Sequence, residues 1–236
     1  MYIEMLSNCC KQHLNLQNAQ LSEEYYYSSL PLCVIDAVFS IGIRYSTTRQ
    51  VVINFCKRQQ VKRLREYGSP YPNKKQQLSV EDILNLYKNH SINELASDFF
   101  ENRCRTSSRN GILKAEAVFL FSEVLYKYNV NFFQDLPSFI GNIQFENSIK
   151  QIPGQKSGIS TSYFYMLAGN EDFIKPDRMI IRFVESCIGK NTDINEATRL
   201  LKEAHNTLKC DLPTLTLRQL DHEIWKYQKN TTSSSI

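Results

Sequence analysis

Hydrophobic residues recur along most of the chain at the three- and four-residue spacing of an amphipathic helix. This spacing predicts helices over residues 32–42, 47–66, 112–128, 193–208 and 215–229. No segment shows the alternation of apolar and polar residues expected for several strands of a sheet. The pattern therefore predicts an all-α fold.

The same pattern predicts the organisation of the chain. Residues 1–30 have apolar positions at roughly helical spacing and are expected to form a helical segment that packs on the main domain. Residues 31–229 are predicted to form one helical domain, with a middle lobe at about 47–150. The polar residues 230–236 are expected to be a disordered tail.

Several helix starts are marked by a capping pair, in which Ser or Asp precedes an acidic residue by three positions. The pairs are Ser79 with Asp82, Ser91 with Glu94, and Asp193 with Glu196. The clearest loop covers residues 67–78, where Gly68, Pro70 and Pro72 interrupt any regular element.

The stretch 148–187 is the most informative part of the chain. Pro153 cannot continue a helix and Gly154 tolerates a positive φ, so two helices are joined there by a tight turn. N–H groups released by the turn and by the next helix start form an anion site suited to a phosphate. Lys156 adds a positive charge at this turn. An ordinary helix–helix connection is the alternative interpretation.

A second signal follows at Pro176 and Asp177, which mark the start of a further helix. The run Ile152-Pro153-Gly154, a helix, and then Asp177 resembles the signature of the helix-hairpin-helix (HhH-GPD) base-excision DNA glycosylase superfamily. Arg182 and Phe183 fit the context of the aspartate in that family without a gap. The step Lys114-Ala115-Glu116-Ala117 also looks like the family.

The resemblance implies a two-lobed helical fold with a cleft for an extruded nucleotide. It also implies that Asp177 stabilises the positive charge on the sugar and orients the attacking water. By the same resemblance the turn and the 42–46 loop bind DNA, through Gly154, Gln155, Lys156, Ser157, Gly158, Arg44 and Tyr45.

This chain departs from the family at the hairpin. Gln155 and Lys156 stand where the family has an aliphatic residue and a glycine, and Gly158 stands where bifunctional members carry a nucleophilic lysine. Because glycine has no side chain, the resemblance implies monofunctional hydrolysis without an imine intermediate. Only Cys187 and Cys210 lie where some members carry four iron–sulfur cysteines, so we expect no cluster and no other cofactor.

Composition adds limits to this interpretation. A net charge of +4 permits a polyanionic partner without requiring one. The seven cysteines are odd in number and scattered, which indicates no disulfide framework and favours a reducing, intracellular (cytoplasmic) location. No stretch approaches the ~20 apolar residues that span a bilayer. We expect a soluble monomer whose partner is DNA.

Two other classes of function stay open. One is a DNA-binding or damage-sensing relative that has lost catalysis, and the other is a helical protein-interaction module in which Asp177 is only a cap. His222 lies on the terminal amphipathic helix and is expected to be structural. No tight carboxylate cluster favours a metal-dependent nuclease.

Overall fold

The computed structural model describes residues 1–233, with side chains through Thr231, and it confirms the all-α class. No strand occurs within the described residues, which form eleven α-helices. These are α1 Tyr2–His13, α2 Leu30–Phe39, α3 Tyr45–Gln59, α4 Val80–Asn89, α5 Ile92–Glu94, α6 Lys114–Lys127, α7 Ile143–Lys150, α8 Ile159–Leu167, α9 Arg178–Ile188, α10 Ile194–Leu208 and α11 Leu217–Ser233. A π-helical turn, Leu95–Phe99, follows α5 directly. In the same part of the chain, no helix is long and apolar enough to cross a membrane.

Contacts between Cα atoms divide the chain into two compact units. The middle unit contains Glu23–Gly169, and the terminal unit contains Met1–Ser22 together with the chain from Asn170 onward. These boundaries differ from the segments 1–30 and 47–150 expected from the sequence. They also separate the two halves of the stretch 148–187, because Gly154 belongs to the middle unit and Asp177 to the terminal unit.

Helix α2 is the centre of the middle unit. All ten of its residues are buried, and it packs against α3, α6 and α8. The buried residues include Asp36, whose Oδ2 accepts a hydrogen bond from the Tyr27 hydroxyl at 2.7 Å. A carboxylate inside a helix that is otherwise apolar is stable only with such partners.

The terminal unit is built from the apolar faces of α1, α9, α10 and α11. On α9 the buried residues are Ile180, Phe183, Val184 and Ile188, which is the spacing of one helix face. Each large aliphatic side chain buried in this way contributes roughly 1.5–3 kcal/mol.

The structure contains a disulfide between Cys9 of α1 and Cys187 of α9, whereas the odd number and scatter of the cysteines predict no disulfide framework. The two residues are 178 positions apart, and α1 packs on both α9 and α10. The packing of distant helices brings the thiols together, which spacing in the sequence does not show.

The predicted capping pairs are confirmed. Ser79 and Ser91 each form a reciprocal capping box with the acidic residue three positions later, and the Asp193 side chain accepts from the N–H of Glu196. These contacts are local, so the sequence alone specifies them.

Two predicted helix ends differ from the structure. The helix expected over 47–66 stops at Gln59, because Gln60 adopts a left-handed φ of 54° and the following chain pairs with residues 26–28. The N–H of Arg65 donates to Tyr26 O at 2.8 Å, and that of Ser28 donates to Arg63 O at 3.0 Å. Helix α11 extends through Ser233, so the part of the expected tail at 230–233 is helical, and residues 234–236 lie outside the described residues.

Candidate nucleic-acid interface and carboxylate site

The predicted helical hairpin is present in the middle unit. Helix α7 leads into a turn at residues 151–158, and α8 begins directly after it. Gly154 has a φ of +88°, and Gly158, the N-cap of α8, has a φ of +74°. Both are left-handed values at which other residues are strained, so this turn requires glycine at these two positions.

The turn uses some of its polar groups internally. The N–H of Gln155 donates to Ile152 O at 2.9 Å, and the N–H of Gly158 donates to Gln155 O at 3.0 Å. The predicted contact between Gln155 and DNA is through its backbone N–H, which the turn uses internally, and the residue is only 1% exposed. Gln155 fills the interior where the resembled family has an aliphatic residue.

Other groups of the turn face solvent. Lys156 and Ser157 are exposed, as is Gly154, and their backbone N–H groups have no acceptor within the described part of the chain. A Cβ on Gly158 would lie 3.2 Å from Lys150 Cε and 4.0 Å from its Nζ, so a second ammonium group lies beside the start of α8. Free N–H groups together with two ammonium groups are the chemistry of a phosphate site.

The loop between α2 and α3 contains the other predicted DNA contacts. Arg44, the N-cap of α3, is exposed and forms no ion pair among the described residues. Tyr45 is half-buried, and burial, followed by the charge of Asp36, raises the pKa of its hydroxyl. Tyr45 is therefore partly accessible, and Arg44 is the more exposed of the two predicted contacts.

Lys114 holds this loop from inside. The residue is 1% exposed, and its ammonium group donates to Phe39 O at 2.9 Å and to Ile41 O at 2.5 Å. The charge therefore lies at the carbonyl end of α2, where a cation stabilises the helix dipole. In the sequence, Lys114 stands out only through the resemblance of the Lys-Ala step, and the contact with the α2 carbonyls comes from the structure.

Asp177 is the N-cap of α9 in the terminal unit. Its Oδ1 accepts the N–H of Met179 at 2.8 Å, and its own N–H donates to Lys175 O at 2.7 Å. No donor to Oδ2 is present among the residues that the structure describes, and the residue is half-buried. One carboxylate oxygen is therefore fixed by the helix, and the other is open to a ligand.

Asp221 of α11 is a second carboxyl group at this place, and sequence reasoning missed it. It is 4% exposed, and its Oδ1 accepts the N–H of Lys175 at 2.9 Å, two residues before Asp177. Burial is the main cause that raises the pKa of Asp221 to about 8, with a smaller raising effect from the charge of Asp177 and lowering effects from the Lys175 N–H and the Lys175 charge. The signal in the sequence is a carboxylate between Leu217 and Ile224 on the apolar face of a helix.

The loop before Asp177 has a further attachment to α11. The backbone N–H of Arg218 donates to the backbone carbonyl of Glu171 at 3.2 Å, and the Arg218 guanidinium pairs with the Glu171 carboxylate at 3.0 Å. Together with Asp221, this contact fixes the segment that leads to the α9 N-terminus at two points. His222 is buried, with its ring stacked on Trp225 at 5.8 Å between centroids, a placement that accords with the structural role expected for it.

Comparisons with known proteins give the chain a family. It belongs to the family described as a domain of unknown function (DUF8548), which matches residues 4–229. No curated protein and no solved structure matches the chain. Within the described residues, no group of three or more His, Cys, Asp or Glu side chains has the arrangement of a metal site.

Proposed function

We propose that this chain is a DNA-binding, monofunctional DNA glycosylase that hydrolyses the N-glycosidic bond of a flipped, damaged or mispaired base. The observation that carries the proposal is the Asp177 carboxylate, which is held by its own helix N-terminus through one oxygen and open at the other. The resemblance of the segment from Ile152 to Phe183 to the glycosylase superfamily supports it. The proposal rests on this site and on that resemblance.

The chemistry needs a fixed negative charge. Cleavage of the bond between base and sugar develops positive charge on the sugar, like that of an oxocarbenium ion. A preorganised carboxylate stabilises this charge and orients or deprotonates the attacking water. Asp177 has this role in the proposal, and Asp221 holds the backbone that presents it through the Lys175 N–H.

Binding to DNA is assigned to the middle unit. The exposed N–H groups at Gly154, Lys156 and Ser157, with the ammonium groups of Lys150 and Lys156, provide donors for the phosphate backbone. Phosphate contacts of this kind position a protein on DNA and carry no sequence information. These phosphate contacts therefore do not determine which base is recognised.

The experiment is base release from a panel of duplex oligonucleotides that contain uracil, alkylated or oxidised bases. We expect release from at least one substrate by the wild type and a loss of about 10²- to 10⁴-fold in Asp177→Asn, since that is the usual contribution of such a group. Asn keeps an acceptor for the Met179 N–H, so the cap is retained. Asp172→Asn, an exposed residue in the segment before α9, is the matched control and should release base normally.

The same reactions test the monofunctional part of the proposal. Because Gly158 has no side chain, we expect abasic DNA that remains intact until alkali is added, and no product trapped by borohydride. Lys150 is the amine next to that position. A trapped product that disappears in Lys150→Gln would replace hydrolysis with a lyase mechanism.

A non-catalytic DNA-binding protein is the second candidate, and the hairpin favours it. The N–H groups of Gln155 and Gly158 are used within the turn, which reduces the donors that face a phosphate. Measurable DNA binding without release of any base from the panel would select this candidate. The absence of both would leave a helical interaction module.

A further inference from the structure

The loop 102–113 is a hydrogen-bonded element that the proposed function does not yet use. It forms an isolated antiparallel bridge between Arg105 and Leu113 in an otherwise helical unit. The N–H of Thr106 donates to Ile112 O and that of Lys114 donates to Cys104 O, each at 2.9 Å. The two sides of the loop are thus paired, and its conformation is fixed.

A side-chain contact across the loop adds to this order. The guanidinium of Arg105 donates to Gly111 O at 2.7 Å. Asn110 reverses the chain with a φ of +54°, and residues 107–110 at the tip are all exposed. Arg109 at the tip forms no hydrogen bond or ion pair through its side chain within the described residues.

Two contacts place this loop beside the candidate DNA-binding segments. A Cβ on Gly154 would lie 2.4 Å from the Cβ of Thr106, so the loop packs directly on the α7–α8 turn. Lys114, which closes the loop, binds the carbonyls of Phe39 and Ile41 at the start of the α2–α3 loop. The loop 102–113 therefore adjoins segment 150–158 directly and segment 40–46 through Lys114, all within the middle unit.

The charge of these three segments has one sign. They contain no Asp or Glu and six basic residues, which are Arg44, Arg103, Arg105, Arg109, Lys150 and Lys156. The whole chain has a net charge of +4, so the remainder carries 4 − 6 = −2. The positive net charge of the chain therefore comes from these three segments.

None of these six residues takes part in a salt bridge among the described residues. Arg103 donates to Ser97 Oγ at 2.7 Å and to Asn93 Oδ1 at 2.9 Å, both neutral acceptors. The flanking Glu101 accepts from Asn54 at 3.1 Å. The six basic side chains therefore have no carboxylate partner within the described part of the chain.

We propose that the loop 102–113 is a second phosphate-binding element, in which Arg105 and Arg109 contact the DNA backbone next to the α7–α8 turn. This inference rests on the DNA binding of the proposed function and does not depend on its catalysis. Three adjoining segments with guanidinium, ammonium and N–H donors suit a linear polyanion with regularly spaced charges. Ser107, Ser108 and Asn110 at the tip add uncharged donors of the kind that bind phosphate oxygens.

The basic residues of α3 and of the chain directly after it lie outside the three segments and serve as a comparison for them. Arg63 pairs with Glu23 at 3.2 Å, and Arg58 lies over the ring of Phe99 at 5.3 Å. Lys57 and Lys62 are exposed and form no salt bridge within the described chain. They provide a matched pair of charges outside the three segments.

The experiment measures the salt dependence of binding to an undamaged duplex by fluorescence anisotropy. We compare the wild type, Arg105→Gln/Arg109→Gln, and the control Lys57→Gln/Lys62→Gln over a series of KCl concentrations. Each lost phosphate contact lowers the slope of log K against log salt by about 0.9, so the loop variant should lose roughly 1.8 and the control nothing. Arg109→Gln alone, which leaves the Arg105 contact to Gly111 in place, should lose about 0.9.

An unchanged slope in the loop variants, or an equal loss in the control, would overturn the inference. A wild type that binds the duplex without salt dependence would overturn it as well. Base release by the same proteins separates it from the proposed catalysis. If the wild type releases base but the loop variants keep the wild-type slope, the loop inference fails and the proposed glycosylase activity stands. If the loop variants have a reduced slope but the wild type releases no base, the loop inference stands and the proposed activity fails.

Discussion

The proton on Asp221 makes the stability of the chain depend on pH in a direction that the structure fixes. The pKa of this buried carboxyl is about 8 in the folded protein, against roughly 3.9 for an exposed aspartate. Between these values unfolding releases a proton, so stability is full below the unfolded pKa and is lost as pH rises through the folded pKa. The variant Asp221→Asn has no proton to lose at this position, and its amide oxygen still accepts from the Lys175 N–H.

The size of the change in stability follows from the difference between the folded and unfolded pKa values of Asp221. A shift of about 4 pKa units corresponds to about 5–6 kcal/mol as an upper limit. Relaxation and water penetration reduce the penalty of a buried charge, so we expect Asp221→Asn to gain about 2–4 kcal/mol on the wild type between pH 5 and pH 8. Urea denaturation of both proteins at a series of pH values measures this difference directly.

The control is Glu4→Gln, which removes an exposed carboxylate from the same unit. Its stability should remain parallel to that of the wild type at every pH. The pKa of His205 is lowered mainly by burial, so this residue lowers stability in acid. Its contribution is the same in both proteins and does not affect the difference between them. Parallel curves for the wild type and Asp221→Asn would show that Asp221 carries no proton and would refute this reasoning.

Two further predictions concern stability. Lys114→Met keeps the aliphatic packing but leaves the buried Phe39 carbonyl and the partly buried Ile41 carbonyl without their ammonium donor, so we expect a loss of about 2–4 kcal/mol in urea denaturation. A loss no larger than that of exposed Lys75→Met would contradict this expectation. Cys9→Ser/Cys187→Ser removes a cross-link over 178 residues and should cost about 3–5 kcal/mol, with Cys210→Ser neutral. Thiol titration of the unfolded, unreduced wild type should give five free thiols, and seven would show that the pair is absent.

Local interactions were predictable from the sequence, and interactions between distant segments were not. The caps at Ser79, Ser91 and Asp193 depend on residues three positions away, so a short pattern contains all the information. The end of α3 depends on pairing of the following chain with residues 26–28, which overrides the helical pattern of 47–66.

The candidate site shows the same limit. Asp177 is visible in the sequence because Pro176 and the helix that follows mark it. Asp221 is not visible in the same way, since its role depends on the contact between α11 and the Lys175 N–H. Gln155 is predicted to contact DNA through its backbone N–H, whereas the turn uses that N–H in a hydrogen bond to Ile152 O.

The two carboxyl groups, Asp177 and Asp221, also indicate how the site is maintained. Asp221 is buried and reaches the chain two residues before Asp177, and Arg218 holds Glu171 further upstream. These contacts order a segment that would otherwise sample many conformations, at a cost of about 1–2 kcal/mol per residue. A carboxylate held in this way requires little reorganisation when charge develops on a substrate.

The most direct test of the proposed function is single-turnover base release from the best substrate of the panel by the wild type and Asp177→Asn. Binding of both proteins to the same duplex is measured by anisotropy. Our account predicts equal affinity and a rate that is about 10²- to 10⁴-fold lower in the variant. Equal rates at equal affinity would remove Asp177 from the chemistry and contradict the proposal.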